Sequence, residues 1–390
     1  MKVLEGIRVL ECCSFVSGPW AAQMLAEWGA EVVKVENPRG GDPFRSHTTD
    51  HYSPVFCAHN RHKKSISLDV GTSQGAEILR KLARDADVVL ENFRPGVMDR
   101  LGVGWDRLSA DNPRLIYCAI SGFGPTGPYS KRPAYDTVVQ AMGGLLHQTL
   151  PSDDAQITGP NYADSIASLF AVQGVLSALY HRERTGKGMR VDVPMIDTMI
   201  SFLTHPATLY FATGETPDPY FRAARSQCFV FRCEDGRMLS VHMSSPQKFW
   251  EAMLRAIERP ELANDERFLT PFKRVANFHE LGRVLAPSFL TATRDVWEDR
   301  LRANDVPYAP VNDFEALAKD PHVLSQNIFC DVSHPEKGPT KSIARPVRID
   351  GDNAFDAAGA PMLGEHTDEI LTSIGCSSAE IAGWRSAGII

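Results

Sequence analysis

The sequence predicts an α/β fold with a parallel sheet covered on both faces, followed by a smaller α+β domain. Three observations predict it. Short apolar strands alternate with amphipathic helices from the N-terminus to about residue 193, the pattern of βαβ units. The first unit is a strand, a tight turn, a helix and a second strand ending on Glu36, which is how nucleotide-binding doubly wound sheets begin. Beyond a Gly-, Thr-, Pro- and Arg-rich stretch at 214–225 the pattern changes to a hairpin and helices, marking a separate domain.

In chain order, the apolar run 7–11 is a buried strand, and the turn 14–19 leads into a helix through Ala22, Met24, Leu25 and Trp28 that Gly29 closes. The next strand, 31–36, carries Val32, Val33 and Val35. The intervening turn holds one glycine, Gly18, and lacks G-x-G-x-x-G, so NAD is not indicated. A polar loop at 37–42 and a His- and Arg-rich stretch up to Lys64 precede a strand at 65–69. Ala76, Ile78, Leu79 and Leu82 give 74–86 the apolar stripe of a helix. Further strands lie at 87–91 and 115–120, with a short helix starting at Val97. A turn-rich loop at 122–128 leads to a helical stretch at 135–146.

From Ile166 to Leu179 nearly every face is apolar, which predicts a helix of about 18 residues packed inside the protein. Gly186 ends it after a basic last turn. A strand at 189–193 follows, and Pro194 suits the first position of a helix running to about Ala212. In the second domain, 228–233 and 237–242 form a hairpin across Glu234, Asp235 and Gly236, with helices near 246–257, 276–291 and 293–303. The chain returns extended over 325–350, with 345–349 as a late strand. One terminal helix opens over 364–368, and Ser377 or Ser378 caps another.

A chain of 390 residues has room for two domains and a large core. Its 43% hydrophobic and 23% charged residues are an ordinary globular composition. A net charge of −7 argues against a nucleic-acid partner. No run is read as the roughly 18 apolar residues of a membrane span, and the N-terminus lacks a signal-peptide core. Cysteines at 12, 13, 57, 118, 228, 233, 330 and 376 show neither C-x-x-C pairs nor zinc spacing. The expectation is a reduced, metal-free, cytoplasmic protein.

The chemistry is expected at Asp164, which follows the Gly159-Pro160 break and stands at the mouth of the apolar helix. The helix dipole favours its ionised form there. It suits an N-cap, accepting backbone N–H bonds. Position alone favours the cap, but the residue also suits a nucleophile: a carboxylate of pKa about 4 is ionised at neutral pH and attacks an activated acyl group without a base. No G-x-S-x-G elbow or recognisable catalytic cysteine motif is present. Arg39, Arg61, Lys63, Lys64, Arg94 and Arg100, several in loops after strands, offer either a phosphate-binding surface or a solvated charged face. His59, His62, His147, His181 and His242 each read, taken singly, as packed or surface histidines. Ser244 and Ser245 suit a helix cap as well as a ligand contact.

Motifs spread over nearly the whole chain resemble the family III CoA-transferases, with which α-methylacyl-CoA racemases share a fold. They lie at 4–10, 29–36, Gly40-Gly41-Asp42, 64–69, 91–96, 112–117, Gly122-Phe123-Gly124, 133–136, 185–188 and 363–367. The resemblance implies an interlocked homodimer, with a Rossmann-type large domain drawn from both chain ends (1–214 and 326–390), a linker at 215–225 and a small domain at 226–325. It implies CoA and acyl-CoA as substrates, with no permanently bound cofactor, and carboxylic acids as the other substrates.

By the same resemblance Asp164 is the nucleophile. The CoA site takes in Val16, Ser17, Asn37, Leu68, Asp69, Val70, Gly71, Asn92, Phe93, Arg94, Arg100, Pro133, Ala134, Tyr135 and Asp136. Arg100 would pair a phosphate, Phe93 would offer an apolar face, and Asn92 would bond the adenine or the pantetheine amide. The racemases carry a histidine where this chain has Tyr135, and a tyrosine of pKa near 10 is a poor base at pH 7. The transferase pattern is therefore preferred over a racemase and over a non-catalytic nucleotide-binding module. The family's glycine-rich lid would fall at 242–246, where this chain has His242, Met243, Ser244, Ser245 and Pro246, implying a different lid and a different acid. Arg222, Arg225 and His242 are candidates for a second carboxylate.

Overall fold

A computed structural model describes residues 2–47, 53–150, 156–244, 246–334, 338–351 and 358–390. Six strands form one parallel sheet: β1 (Arg8–Cys12), β2 (Glu31–Glu36), β3 (Lys63–Ser67), β4 (Val88–Glu91), β5 (Ile116–Ser121) and β6 (Met189–Pro194). Their order is β3-β2-β1-β4-β5-β6. The chain thus builds outward on one side of β1, then returns to start the other half at β4. That reversal leaves a crevice at the carboxyl ends of β1 and β4, where such sheets bind ligands.

Four helices matter for the site: α1 (Ser17–Glu27), α2 (Ser73–Arg84), α3 (Asp136–Met142) and α4 (Tyr162–Thr185). Alternation along the strands sorts the core into two layers. Val9, Val32, Val88, Leu90, Ile116, Cys118 and Ile120 pack with α1 and α4. Leu10, Cys12, Ile66, Val89, Tyr117 and Ala119 pack with α2 and the helices Thr367–Ser373 and Ser378–Ser386. The last helix carries a capping box between Ser377 and Glu380, as its sequence suggests.

Helix α4 departs from the sequence reading in two ways. It has 24 residues, and its length and hydropathy of 1.3 meet the measure of a membrane span, which the sequence reading had denied to every run. Nor is it buried all round. Ala163, Ile166, Ala167, Ala171, Val175, Ala178 and Leu179 are buried, while Leu169 and Tyr180 are 53% and 68% exposed. The helix lies close against the sheet, since a Cβ on Gly174 would come within 2.7 Å of the Val191 side chain. Gly186 ends it in the left-handed conformation (φ +73°), as expected.

Other expectations fail for local reasons. The stretch 135–146 is broken after α3, Gly144 taking φ +89° before the helix Leu145–Thr149. Pro194 ends β6 and flanks the next helix instead of opening it. That helix stops at Phe202 and a second runs Thr204–Thr213, because Pro206 has no N–H for the Phe202 carbonyl. Part of the expected linker is the helix Phe221–Arg225. No strand forms over 345–349 beyond an isolated bridge at Ile349. Pro346 interrupts it, and Arg345 turns inward, its guanidinium 3.7 Å from the Trp28 ring centre.

The chain divides into two compact units, Met1–Leu146 with Ile157–Ala207 and Ser325–Ile390, and His147–Gln156 with Thr208–Leu324. In the second, β7 (Cys228–Arg232) and β8 (Met238–His242) form the expected hairpin, and β9 (Tyr308–Pro310) adds a third antiparallel strand. Its core stacks Phe231 on Phe289 at 4.2 Å, with Trp297 beyond at 4.7 Å. In the first unit, β10 (Phe329–His334) and β11 (Gly338–Ile343) form a separate antiparallel pair.

Candidate active site

A cleft of about 300 Å³ opens at the carboxyl ends of β1 to β4. Each strand contributes the residues that follow it: Ser14 after β1, Asn37 and Asp42 after β2, Leu68 to Gly71 after β3, Phe93 and Met98 after β4. A buried ion lattice supports this wall. Lys34 Nζ stands 2.9 Å from Glu11 Oε1, Asp42 Oδ2 and the Cys13 carbonyl. Lys63 Nζ meets the other Glu11 oxygen at 2.7 Å, and Arg45 grips Glu36 through two bonds of 2.8 and 2.6 Å. Burial alone would lower the Lys34 pKa, but Glu11, Asp42 and Glu36 outweigh it and hold the ammonium above the usual lysine range. For Lys63 burial wins over Glu11, and its pKa falls to about 8.

The lattice also shapes the cleft's rim. Asp42 Oδ1 accepts the Phe44 and Phe15 amides at 2.9 and 3.3 Å, and Phe15 is held at φ +69°, uncommon for a bulky residue. Its ring meets those of Phe44 and Tyr135 edge-on at 5.4 and 6.2 Å. Sequence reasoning missed Phe15, Phe44 and the role of Asp42; the Asp42-Pro43 pair, a short-helix cap, was the available signal.

Asp164 lies in the first turn of α4, three residues after the N-cap Asn161, so it is not itself the N-cap. Its carboxylate accepts no hydrogen bond from the described residues, while its pKa is raised to about 7, first by burial and then by the neighbouring Asp136. The expectation of a fully ionised group is therefore corrected: the dipole's favourable end faces another carboxylate. Asp136 Oδ1 accepts the Ala163 and Asp164 amides at 2.8 and 3.2 Å. Ser168, in the second turn of α4, has its hydroxyl 2.7 and 2.8 Å from the Ser17 and Asp164 carbonyl oxygens, and its one proton is shared between them where α1 meets α4.

The other expected residues divide into three groups. Asn37, Leu68, Asp69, Val70, Gly71 and Phe93 line the cleft. Arg94 and Arg100 are exposed on the segment after β4, as are Pro133 and Tyr135 before α3, with half-buried Ala134 packed against Gly122. Val16 and Ser17 are buried at the start of α1, and no described residue accepts the Ser17 or Gly18 amide.

Several residues take other parts. Asn92 commits both amide N–H groups to the turn after β1, donating to Ser14 O and Ser17 Oγ and accepting from Ser14 N at 3.0 Å, which leaves the second lone pair of its Oδ1 for a ligand. Arg61 is buried against Glu27 at 2.7 Å, and Lys64, a β3 residue, pairs with Glu31 and Glu369. With Lys63 in the lattice, these three leave the phosphate-binding set. Arg39 pairs with Asp69 at 2.6 Å, its side chain 81% exposed.

In the second unit Arg222, Arg225 and His242 are exposed. Ser244, at φ +52°, caps no helix, since the next N-cap is Pro246; Ser245 lies outside the described residues. Buried Arg274 bonds Gln227 Oε1, and Gln227 in turn donates to the Ser244 carbonyl, both at 2.8 Å, anchoring the expected lid segment. Among the described residues no group of three or more His, Cys, Asp and Glu is placed to hold a metal ion.

A doubly wound sheet with its crevice open at the switch point defines the class, a nucleotide-binding α/β architecture. Within it, residues 4–367 match the family model described as CoA-transferase family III. The chain belongs to that family and is an enzyme of that class. It is 34% identical to formyl-CoA:oxalate CoA-transferase of Streptomyces avermitilis over 412 residues, covering 100% of both chains. It is 32% identical to succinyl-CoA:glutarate CoA-transferase of Mus musculus, over 96% of this chain and 87% of that one. A CAIB/BAIF family protein from Brucella suis has the same fold, with a TM-score of 0.85, 33% identity and coverage of 95% and 99%.

Proposed function

We propose that the protein moves CoA from an acyl-CoA to a small dicarboxylic acid, with Asp164 as the covalent carrier. The observation that carries the reading is an Asp164 carboxylate that accepts no hydrogen bond from the described residues, at the mouth of a helix whose Ala163 and Asp164 amides are taken by Asp136. The dicarboxylate rests on the relatives, named for oxalate and glutarate. CoA lies in the cleft along Asn37, Leu68 to Gly71 and Phe93, its phosphates towards Arg94 and Arg100, and its acyl end towards Asp164 past Val16, Ser17, Pro133, Ala134 and Tyr135. The enzyme works as an interlocked homodimer in the cytoplasm, with 226–325 as a small domain and the two chain ends forming the large one.

Each step exchanges one acyl bond. An Asp164 oxygen attacks the thioester carbon, the C–S bond breaks, and CoA leaves as thiolate from an acyl-aspartyl anhydride. The thiolate attacks the Asp164 carbonyl and expels the donor acid, leaving an aspartyl-CoA thioester. The acceptor carboxylate displaces CoA through a second anhydride, and the thiolate then takes the acceptor acyl group, restoring Asp164. The unpaired Ser17 and Gly18 amides suit the oxyanions these steps create.

Hydroxylamine added during turnover should leave a hydroxamate at Asp164, located by peptide mass spectrometry. Asp164→Ala should lose turnover by on the order of 10³-fold or more while binding CoA normally. An unmodified Asp164 peptide, or normal turnover by the variant, sinks the covalent mechanism. Exchange of an α-proton with solvent from a 2-methylacyl-CoA, without an acceptor acid, would favour a racemase instead.

A further inference from the structure

We infer that Asp136 is a positioning residue for the nucleophile: it occupies the amides at the mouth of α4 and so keeps the Asp164 carboxylate off its own helix. The inference rests on the reading of Asp164 as nucleophile.

A helix leaves its first N–H groups without intrahelical acceptors. An acidic side chain in the first turn commonly folds back onto such donors. A carboxylate bound in that way is oriented, but its lone pairs are engaged and its basicity falls. In α4 the donors can be counted one by one. The Tyr162 amide goes to the Pro160 carbonyl at 2.9 Å, and the Ala163 and Asp164 amides go to Asp136 Oδ1. The Ser165 amide makes the first regular helical bond, to the Asn161 carbonyl at 3.1 Å. Among the described residues Asp164 takes none of these donors, and the Asn161 side chain makes no capping bond. The cap comes instead from another helix.

Asp136 is itself held in place. It is the first residue of α3, and its second oxygen accepts from Gln140 Nε2, one turn further along and 2% exposed. The same amide group reaches the Pro160 carbonyl at 3.4 Å. Gln140, Asp136 and the two amides thus fix α3 against the start of α4. The arrangement has an electrostatic consequence. Instead of meeting bare helix amides, Asp164 meets a second carboxylate, which adds to burial in raising its pKa. A more basic carboxylate is a stronger acyl nucleophile once ionised.

Two substitutions separate the parts of this role. Asp136→Ala removes the cap and frees two amides for Asp164; kcat should fall on the order of 10–100-fold, with KM for acyl-CoA changing less than about threefold. Asp136→Asn keeps an acceptor for both amides but removes the charge. It should retain most of kcat at pH 8 and move the acid limb of the kcat/KM profile down by about one pH unit. A ¹³C titration of the Asp164 carboxyl should show the same downward shift with no turnover required. That readout keeps this inference separate from the transferase reading, which Asp164→Ala tests. A large rise in KM with kcat preserved would make Asp136 a CoA contact instead. An unmoved limb and an unmoved ¹³C titration in Asp136→Asn would overturn the inference.

Discussion

At the residue scale, Asp164 couples reactivity to pH. With its pKa raised to about 7 by burial and Asp136, about half the molecules carry the ionised form near neutrality. If ionised Asp164 is required, kcat/KM should climb with unit slope below about pH 7 and level off above it, as a pH–rate series will test. The same shift sets a sign for stability. The folded state holds this proton more tightly than the unfolded chain, whose carboxyl titrates near 4. Stability contributed by Asp164 is therefore complete below that value and is lost as pH rises through about 7. Asp164→Asn should be more stable than the parent at pH 8 by about 1–3 kcal/mol, discounted for partial exposure, and no more stable at pH 4. Urea midpoints at the two pH values measure the difference; an equal gain at both would rule out titration as its cause.

At the scale of elements, the loop from β3 into α2 presents backbone to the cleft, and its shape depends on one glycine. Thr72 caps α2 by accepting the Gly75 amide and donating to the Asp69 carbonyl, both at 2.9 Å. A Cβ on Gly75 would sit 2.0 Å from that carbonyl oxygen, so the loop must shift to admit it. Gly75→Ala should cost about 1–3 kcal/mol and raise KM for acyl-CoA severalfold. A lower melting temperature with unchanged KM would argue that CoA does not use this loop. Such elements were legible where the signal is local: the βαβ alternation located the parallel sheet, and the Gly159-Pro160 break placed Asp164 in the first turn of α4. Charged partners far apart in the chain were not. Lys63 reads as a loop cation until β3 lies beside β2 and brings it to Glu11. Nothing around Asp136 announces that it will cap a helix starting at Tyr162, because its bonds exist only once α3 meets α4.

For the whole molecule, the buried lattice and the exposed faces make separate demands. Glu11, Lys34, Asp42 and Lys63 are at most 5% exposed, and removing one member leaves the others charged in a poor solvent. Lys34→Met should cost about 3–5 kcal/mol and loosen the Phe15 rim through Asp42, which thermal unfolding and KM will register together. Leu169, Tyr180, Ile200 and Phe202 form an exposed apolar set on α4 and the helix Met195–Phe202, each 49% or more exposed. The interlocked dimer proposed above would cover it, and threading makes a kinetic prediction that ordinary association does not. Two rings passed through one another cannot part without unfolding, so dilution should not release monomer, unlike a dimer held by mass action. Tagged and untagged proteins, mixed when folded, should form no hybrid over days, yet give about half hybrids after joint unfolding and refolding, as expected for random pairing. Hybrids appearing within minutes of mixing, or a monomer by sedimentation, would exclude the threaded arrangement and leave the exposed face of α4 to another partner.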